Sequence, residues 1–212
     1  MPGLQLTNAI NRTVKRIPAW SVYVLGLLIF GFIMALVITN NAGPDPVKAL
    51  EKGLGERGLQ FLVVALCLTP LRWAGINAVK FRRAVGLVAF FFIALHFATW
   101  VVLDMGLRWS EIISDLYKRP YILIGFGAFL GMIPLAITSN NRSIKQLGAA
   151  TWKRLHLLAY PATLAGAVHF VMIGKIYALD SLFYLAVVVA VLAARWVKAR
   201  GTSAILARVV GS

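Results

Sequence analysis

The sequence between residues 84 and 103 reads AVGLVAFFFIALHFATWVVL and contains no Asp, Glu, Lys or Arg. A helix needs about 20 consecutive apolar residues to cross the hydrocarbon core of a bilayer. Because lipid offers no hydrogen-bond partners, the backbone polar groups of such a segment must be satisfied within it. The stretch therefore predicts a transmembrane α-helix, and its one ionisable side chain is that of His96.

Apolar stretches of the same kind recur along the chain, of which 60% is hydrophobic. A soluble domain is roughly half apolar, so the excess is too large for a water-exposed surface. We predict an all-α integral membrane protein, in which residues 1–212 form a single domain and a six-helix transmembrane bundle. The predicted spans are residues 18–39, 58–71, 84–103, 121–138, 155–173 and 182–194.

The charged residues are divided unequally between the two sides of these spans. The N-terminus, the second and fourth connections and the C-terminus hold 15 of the 22 Lys and Arg residues, whereas all 7 Asp and Glu residues lie on the other side. Basic residues mark the cytoplasmic side of a membrane protein. We therefore predict that both termini are cytoplasmic. The net charge of +15 then faces anionic lipid headgroups rather than nucleic acid.

Two connections on the acidic side contain short amphipathic segments. One face of the first carries Val47, Leu50 and Leu54, and one face of the second carries Trp109, Ile112, Ile113, Leu116 and Tyr117. Helices that lie on a membrane surface show this pattern, and docking of a partner protein is the alternative interpretation. The segments outside the spans are too short for a nucleotide-binding domain, and no glycine-rich phosphate loop follows a predicted strand.

Three histidines, His96, His156 and His169, lie in predicted spans, where no Asp, Glu, Lys or Arg is expected at depth. Ionisable residues inside a membrane are costly and are candidates for function. At 1.5 Å per residue, His96 and His169 both lie about 20 Å from the cytoplasmic ends of two different helices. Two facing imidazoles can hold a haem iron from both sides. A hydrogen bond between helices is the alternative for each histidine, and zinc is less favoured because no Cys, Asp or Glu is expected nearby.

His156 lies at the cytoplasmic end of the fifth predicted span, 13 residues before His169. On an ideal helix 13 steps turn by about 220°, so the two side chains would not share a face. Pro161 lies between them, and a proline removes a backbone donor and kinks a helix. We hypothesise that this kink directs both histidines toward the interior of the bundle.

Short motifs follow one another in a specific order along most of the chain. They are Gly43-Pro44-Asp45-Pro46, Thr69-Pro70-Leu71-Arg72, Arg82-Arg83 with Gly86, Leu95-His96-Phe97, Arg119-Pro120-Tyr121, Pro134-Leu135, Thr138-Ser139, Leu147-Gly148, Trp152-Lys153, Leu155-His156, Leu158, Tyr160 and His169. In this order they resemble the MsrQ/YedZ family, the haem-binding membrane subunits of bacterial periplasmic methionine-sulfoxide reductase systems. That family belongs to the ferric-reductase-like transmembrane group.

The resemblance implies a subunit that carries electrons across the bacterial inner membrane. Its donor would be a cytoplasmic flavin reductase or the quinone pool, and its acceptor a periplasmic molybdopterin enzyme that reduces oxidised methionine in proteins. Family members bind b-type haem, and FMN is also attributed to them. Such a subunit relays electrons in an oxidoreductase complex rather than acting as a stand-alone enzyme, and we find no nucleophile or general-base constellation for substrate chemistry.

One feature departs from the wider group, in which ferric reductases and NADPH oxidases hold two stacked haems with two histidines on each of two helices. His156 and His169 match the pair on one helix, but Arg82 and Arg83 occupy the place expected for the companion of His96. The resemblance therefore implies one outer haem, on His96 and His169. His156 would hold a second haem with a different partner, or lie near a flavin or a quinone.

Four basic residues are predicted to cluster on the cytoplasmic side, namely Arg82, Arg83, Lys153 and Arg154. One interpretation is that they pair with haem propionates or a flavin phosphate, and the other is ordinary anchoring at the cytoplasmic surface. A small transporter or a scaffold subunit without haem is the alternative function. A transporter is less favoured, because we find neither a buried carboxylate for ion coupling nor an inverted repeat.

Overall fold

The computed structural model describes residues 2–174 and 179–210, and the regular elements within these ranges are helices. Lys175, which the charge count assigns to the acidic side, lies outside the described residues. In chain order the α-helices are α1 (Pro2–Arg16), α2 (Ser21–Ile38), α3 (Pro46–Trp73), α4 (Arg82–Thr99), α5 (Trp109–Lys118), α6 (Pro120–Ile137), α7 (Asn141–Leu147), α8 (Ala149–Leu155), α9 (Ala159–Ile173) and α10 (Leu179–Val210).

Six helical segments among the described residues are long and apolar enough to cross a membrane, which confirms the predicted fold class. The third span joins α4 to a π-helical turn at Trp100–Asp104, and the fifth joins α8 to α9 through a 3₁₀ turn at His156–Leu158. We call the end of the bundle at which α3, α6 and α10 begin the acidic end, and the opposite one the basic end. The six spans are Ser21–Ile38, Pro46–Trp73, Val79–Asp104, Pro120–Ile137, Ala149–Ile173 and Leu179–Gly201.

The second span extends into both flanks of residues 58–71, because α3 runs without a break over Pro46–Trp73. Asp45 caps it by accepting a hydrogen bond from the backbone amide of Lys48, at 2.9 Å. Leu50 and Leu54 are buried in the core against α4, with exposed fractions of 7% and 1%. The predicted separate surface helix around these residues is therefore wrong.

Ion pairing at the start of α3 explains why this segment continues the second span instead of forming a separate surface helix. The Nζ atom of Lys48 lies 3.3 Å from a carboxylate oxygen of Glu51 and 2.7 Å from one of Asp104. Asp104 ends the third span, so the pair connects two neighbouring spans at the acidic end. Because these charges are matched at the end of the helix, its apolar side can pack into the bundle, and no separate element is needed.

The second amphipathic segment does form a separate helix, α5, at the acidic end. Ile112 is its buried residue and packs with Trp100 and Val101. Trp109 and Tyr117 are exposed, at 63% and 86%. Trp and Tyr are enriched where a membrane meets water, so the position of α5 on a membrane surface stays our prediction.

Close helix packing in the bundle depends on small residues, as is usual in membranes. In α3, Gly58 faces Ile93 of α4. A Cβ atom added at Gly58 would lie 2.5 Å from Cγ1 and 3.3 Å from the backbone nitrogen of Ile93. Phe92, on the same stretch of α4, is fully buried. The α3–α4 pair therefore packs at a separation that only glycine allows at position 58.

A half-buried arginine lies in the last span, Leu179–Gly201, one residue beyond the end of the predicted span. Arg195 of α10 donates hydrogen bonds to the hydroxyl of Tyr160, at 2.7 Å, and to the backbone carbonyl of Leu66. That carbonyl has no helical donor, because Pro70 occupies the position four residues later and lacks an amide hydrogen. Arg195 thus supplies the hydrogen bond that Pro70 removes from α3.

Arg195→Leu is expected to lower the free energy of unfolding by about 1–2 kcal/mol, because it leaves the Leu66 carbonyl without a donor. In a Pro70→Ala background the amide of residue 70 can bond to this carbonyl, so the same change should cost less. Thermal unfolding of the four proteins in detergent gives the coupling between the two positions. An equal loss in both backgrounds would contradict this role of Arg195.

Candidate cofactor-binding site

His96 lies at the acidic end of α4 and is held by the first turns of α3. Its Nδ1 atom lies 2.8 Å from the backbone carbonyl oxygen of Glu51. A carbonyl oxygen can only accept, so Nδ1 carries the proton and donates it. The lone pair is therefore on Nε2, the nitrogen that can bind a metal. Metal-ligating histidines usually donate their other ring nitrogen in this way.

His169 of α9 is held in the same way by the first turn of α6. Its Nδ1 atom lies 2.6 Å from the backbone carbonyl oxygen of Tyr121, which assigns the proton to Nδ1 here too. The donor and acceptor residues are 48 positions apart in this pair and 45 in the pair of His96 and Glu51. Two helix pairs, α3 with α4 and α6 with α9, thus present equivalent imidazoles.

The two imidazoles face each other, with ring centroids 6.3 Å apart and ring planes at 72°. A metal–imidazole bond is about 2 Å long and a ring nitrogen lies about 1 Å from its centroid, so two imidazoles on opposite sides of one metal have centroids about 6 Å apart. Within the described ranges no group of three or more His, Cys, Asp or Glu side chains is placed to hold an ion. The pair therefore suits a metal whose remaining ligands come from a non-protein group.

A cavity of ≈ 570 Å³ surrounds the two histidines. Sites for small organic ligands commonly have volumes of about 300–1,000 Å³ and mostly apolar walls. The rings of Phe97 and Phe129 stack in its wall with centroids 4.8 Å apart. Leu59 and Ile93 add aliphatic surface. The cavity can therefore receive a flat, largely apolar group between the two imidazoles.

Charged residues that the sequence did not predict as site residues lie where this cavity opens at the acidic end. Lys48, Lys52 and Arg119 line the opening together with Glu51 and Asp180. The Tyr121 hydroxyl and the Asp115 carboxylate raise the pKa of Arg119, so its guanidinium stays charged. Lys48 and Lys52 are four residues apart on α3, a spacing that could have indicated a shared face.

The third histidine, His156, lies in a second cavity of ≈ 430 Å³ at the basic end. Its ring stacks on Trp152 with centroids 3.8 Å apart, and its Nδ1 atom lies 3.1 Å from the Trp152 carbonyl oxygen. The Nε2 atom lies 3.5 Å from the hydroxyl oxygen of Ser139. His156 is the one histidine that lines this cavity, so the described residues offer no facing imidazole here.

The four predicted basic site residues are divided by the structure. Arg82 and Arg83 line the second cavity, and Arg83 also donates a hydrogen bond to the side chain of Asn141 at 2.9 Å. Lys153 and Arg154 are exposed on α8 and are not among the residues that line either cavity. The structure therefore brings two of the four cations, Arg82 and Arg83, together with His156.

The expected kink between His156 and His169 takes a different form. The helical path changes at the 3₁₀ turn His156–Leu158, and Pro161 lies in the first turn of α9. A proline is tolerated there, because amides in the first turn have no partner within the helix. Both histidines face the interior of the bundle, but they line different cavities.

The two cavities meet at a thin apolar layer. Leu62 and Met132 line both of them. Both side chains are buried, with exposed fractions of 7% and 4%, and pack in one cluster with Ala89 and Ala162. The bundle thus contains two separate sites in series along its length.

Comparison with known proteins places these features in a family. The family described as "Ferric reductase like transmembrane component" matches residues 55–167, a range that contains His96 and His156. A relative from Brucella anthropi is 41% identical over 180 residues, covering 84% of this chain and 81% of the relative. One from Agrobacterium fabrum is also 41% identical, covering 84% and 83%, and one from Brucella ovis is 42% identical, covering 82% and 79%. All three are named "Protein-methionine-sulfoxide reductase heme-binding subunit MsrQ".

Proposed function

The chain belongs to the MsrQ family of ferric-reductase-like, multi-pass membrane proteins, and from this premise we propose that it is a haem-containing electron-transfer subunit of the bacterial inner membrane. The observation that carries the proposal is the facing pair of His96 and His169, whose Nε2 atoms are both free to bind iron. In this proposal residues 1–212 act as one transmembrane unit. With the basic end in the cytoplasm, both termini are cytoplasmic.

The haem at this site would be b-type, held by coordination and packing. Covalent attachment needs cysteines, and the single cysteine of the chain, Cys67, is not among the residues that line the cavity. His96 and His169 would hold the iron, which would supply a centre that accepts and releases one electron. The cations Lys52 and Arg119 at the opening would hold the carboxylates of the macrocycle.

The second cavity is the proposed entry point for electrons. Its position at the basic end would face a cytoplasmic flavin reductase or the quinone pool, the two donors that we propose. His156, Arg82 and Arg83 would bind its redox group, which is FMN, a quinone or a second haem. Lys153 and Arg154 lie exposed at the same end, where phosphate groups of a cofactor or of lipids can pair with them.

The proposed electron acceptor is a periplasmic, molybdopterin-containing methionine-sulfoxide reductase. Reduction of one sulfoxide to a thioether consumes two electrons and two protons and releases water. The subunit delivers the electrons singly from its acidic end, and the partner carries out the bond breaking. The repair of oxidised periplasmic proteins would then depend on both subunits.

The experiment that tests this function is the absorption spectrum of the detergent-purified protein, oxidised and dithionite-reduced, with haem counted per chain. We expect a low-spin b-type spectrum, and oxidation of the reduced haem when the periplasmic reductase and methionine sulfoxide are added together. With the reductase in catalytic amounts, methionine sulfoxide alone should leave the haem reduced, and the reductase alone should oxidise no more haem than its own metal centre can accept electrons from. A protein that stays colourless after haem supplementation would contradict the proposal and leave a transporter or a scaffold subunit.

A further inference from the structure

Each of the two facing imidazoles lies against a glycine of the neighbouring helix. His96 donates to the carbonyl of Glu51, and Gly55 follows four residues later in α3. His169 donates to the carbonyl of Tyr121, and Gly125 follows four residues later in α6. The same three-part arrangement of carbonyl, glycine and imidazole thus occurs twice, on two different helix pairs.

Helix geometry explains the spacing of four residues. In an α-helix the carbonyl of one residue already accepts the amide of the residue four positions later. A carbonyl oxygen has a second lone pair, and a side chain that donates to it must approach past that later residue. The imidazole therefore lies over position 55 in one pair and over position 125 in the other.

The distances show that a side chain would not fit at either position. A Cβ atom at Gly125 would lie 2.7 Å from Nδ1 and 2.8 Å from Cε1 of His169. A Cβ atom at Gly55 would lie 3.0 Å from Nδ1 of His96, so the conflict there is smaller. In both pairs the obstructing atoms belong to a rigid ring, which can move only by giving up its hydrogen bond or by turning.

We propose that Gly55 and Gly125 are positioning residues of the haem site, an inference that rests on the proposed function. The absence of a side chain lets each ring contact the helix, which keeps Nδ1–H bonded to the carbonyl and aims Nε2 at the iron. Such hydrogen bonds orient a ligand and raise its basicity. The glycines thereby set both the strength of iron binding and the reduction potential of the haem.

The chain supplies matched controls on the same two helices. Among the described residues, and apart from the backbone of its own helix, no atom lies within 4 Å of a Cβ added at Gly127. At Gly53 the closest such atom is a side-chain carbon of Ile33 at 3.7 Å, an ordinary contact. Each control lies two residues from the glycine that it matches, so it faces another side of the helix. A change from glycine to alanine has the same effect on helix propensity at all four positions. The positions differ only in the atoms that the new Cβ contacts.

The test compares Gly125→Ala with Gly127→Ala, and Gly55→Ala with Gly53→Ala, in the purified full-length chain. The measurements are haem affinity, the electron paramagnetic resonance spectrum of the ferric protein and the midpoint potential. Gly125→Ala is expected to weaken haem binding by about 10- to 100-fold, the usual effect of losing a hydrogen bond to a metal ligand. The paramagnetic resonance spectrum and the midpoint potential of Gly125→Ala should also shift. Gly55→Ala should show smaller changes in the same measurements. Gly127→Ala and Gly53→Ala should match the unaltered chain.

A folded Gly125→Ala protein with unaltered haem affinity, spectrum and potential would overturn the inference. If that variant does not fold, Gly55→Ala carries the same test, because its ring has to move by only a few tenths of an ångström. Equal changes in a glycine variant and its control would also overturn it, since helix propensity would then explain them. An unaltered chain that binds no haem would instead refute the proposed function itself.

Discussion

Replacement of His96 or His169 by alanine is expected to remove the low-spin spectrum of the acidic-end haem. Each variant lacks one of the two facing imidazoles, so an iron in the cavity can have no more than one axial ligand from the pair. The described residues near the pair include no third histidine that could replace it, because His156 lines the other cavity. Absorption spectra and haem content per chain measure the loss.

His156→Ala is the matched control, because it removes a histidine from the same bundle and from the fifth span that carries His169. It should leave the spectrum of the acidic-end haem in place, and any change would report on the second cavity. Addition of imidazole to His96→Gly or His169→Gly should restore a low-spin spectrum, since the space left by the side chain adjoins the cavity. A low-spin spectrum that survives both His96→Ala and His169→Ala would assign the haem to other ligands.

Gly58→Leu is expected to prevent stable packing of α3 against α4, at a cost of more than about 3 kcal/mol. Even the first atom of the new side chain would lie 2.5 Å from Cγ1 of Ile93, and the backbone nitrogen at 3.3 Å limits how far it can turn away. Relief then requires the two helices to separate. Because α3 and α4 hold His96 between them, haem binding should be lost as well. The yield of folded protein and its thermal unfolding in detergent give the effect.

Gly31→Leu is the control for the added apolar side chain. Gly31 is exposed on α2, and a Cβ added there would meet no atom of the described residues within 4 Å apart from the backbone of its own helix. This variant should unfold within a few degrees of the unaltered chain, since leucine also favours a helix over glycine. Ile93→Ala should recover part of the stability of a milder Gly58→Ala variant, because it removes the obstructing carbon. An unchanged unfolding temperature in Gly58→Leu would contradict the tight packing of this helix pair.

Hydropathy was sufficient to predict that six spans exist and that His96 and His169 lie at similar depth. Long uncharged runs identify membrane helices directly, and rise per residue converts a position in such a run into a depth. Similar depth allows the two rings to meet, but their facing arrangement depends on the hydrogen bonds to the carbonyls of Glu51 and Tyr121, which only the structure shows. The sequence therefore predicted the depth of this pair but not the contacts that orient it.

Contacts between distant segments account for what the sequence could not predict. The polar residues at the start of α3 are spaced as on a helix that lies on a surface. Only the structure shows that the carboxylate of Asp104 forms an ion pair with Lys48 at this point. Likewise, the sequence indicates that Arg195 is an anchoring residue at the end of a span. Its hydrogen bond to the Leu66 carbonyl, which Pro70 leaves without a helical donor, is visible only in the structure. The glycines at 55 and 125 resemble any other small residues of a helix until the rings that lie on them are known.

The layer formed by Leu62 and Met132 has a consequence for the permeability of the membrane. A subunit that moves electrons across a bilayer must not let ions follow them, or the cell would lose its proton gradient. Protons and metal ions need a chain of water or polar groups, whereas an electron can tunnel across a few ångströms of hydrocarbon. The two buried apolar side chains that line both cavities offer water no hydrogen-bond partner at the point where the cavities meet. Under the proposed function, this layer would let electrons pass between the two sites while it hinders the passage of ions.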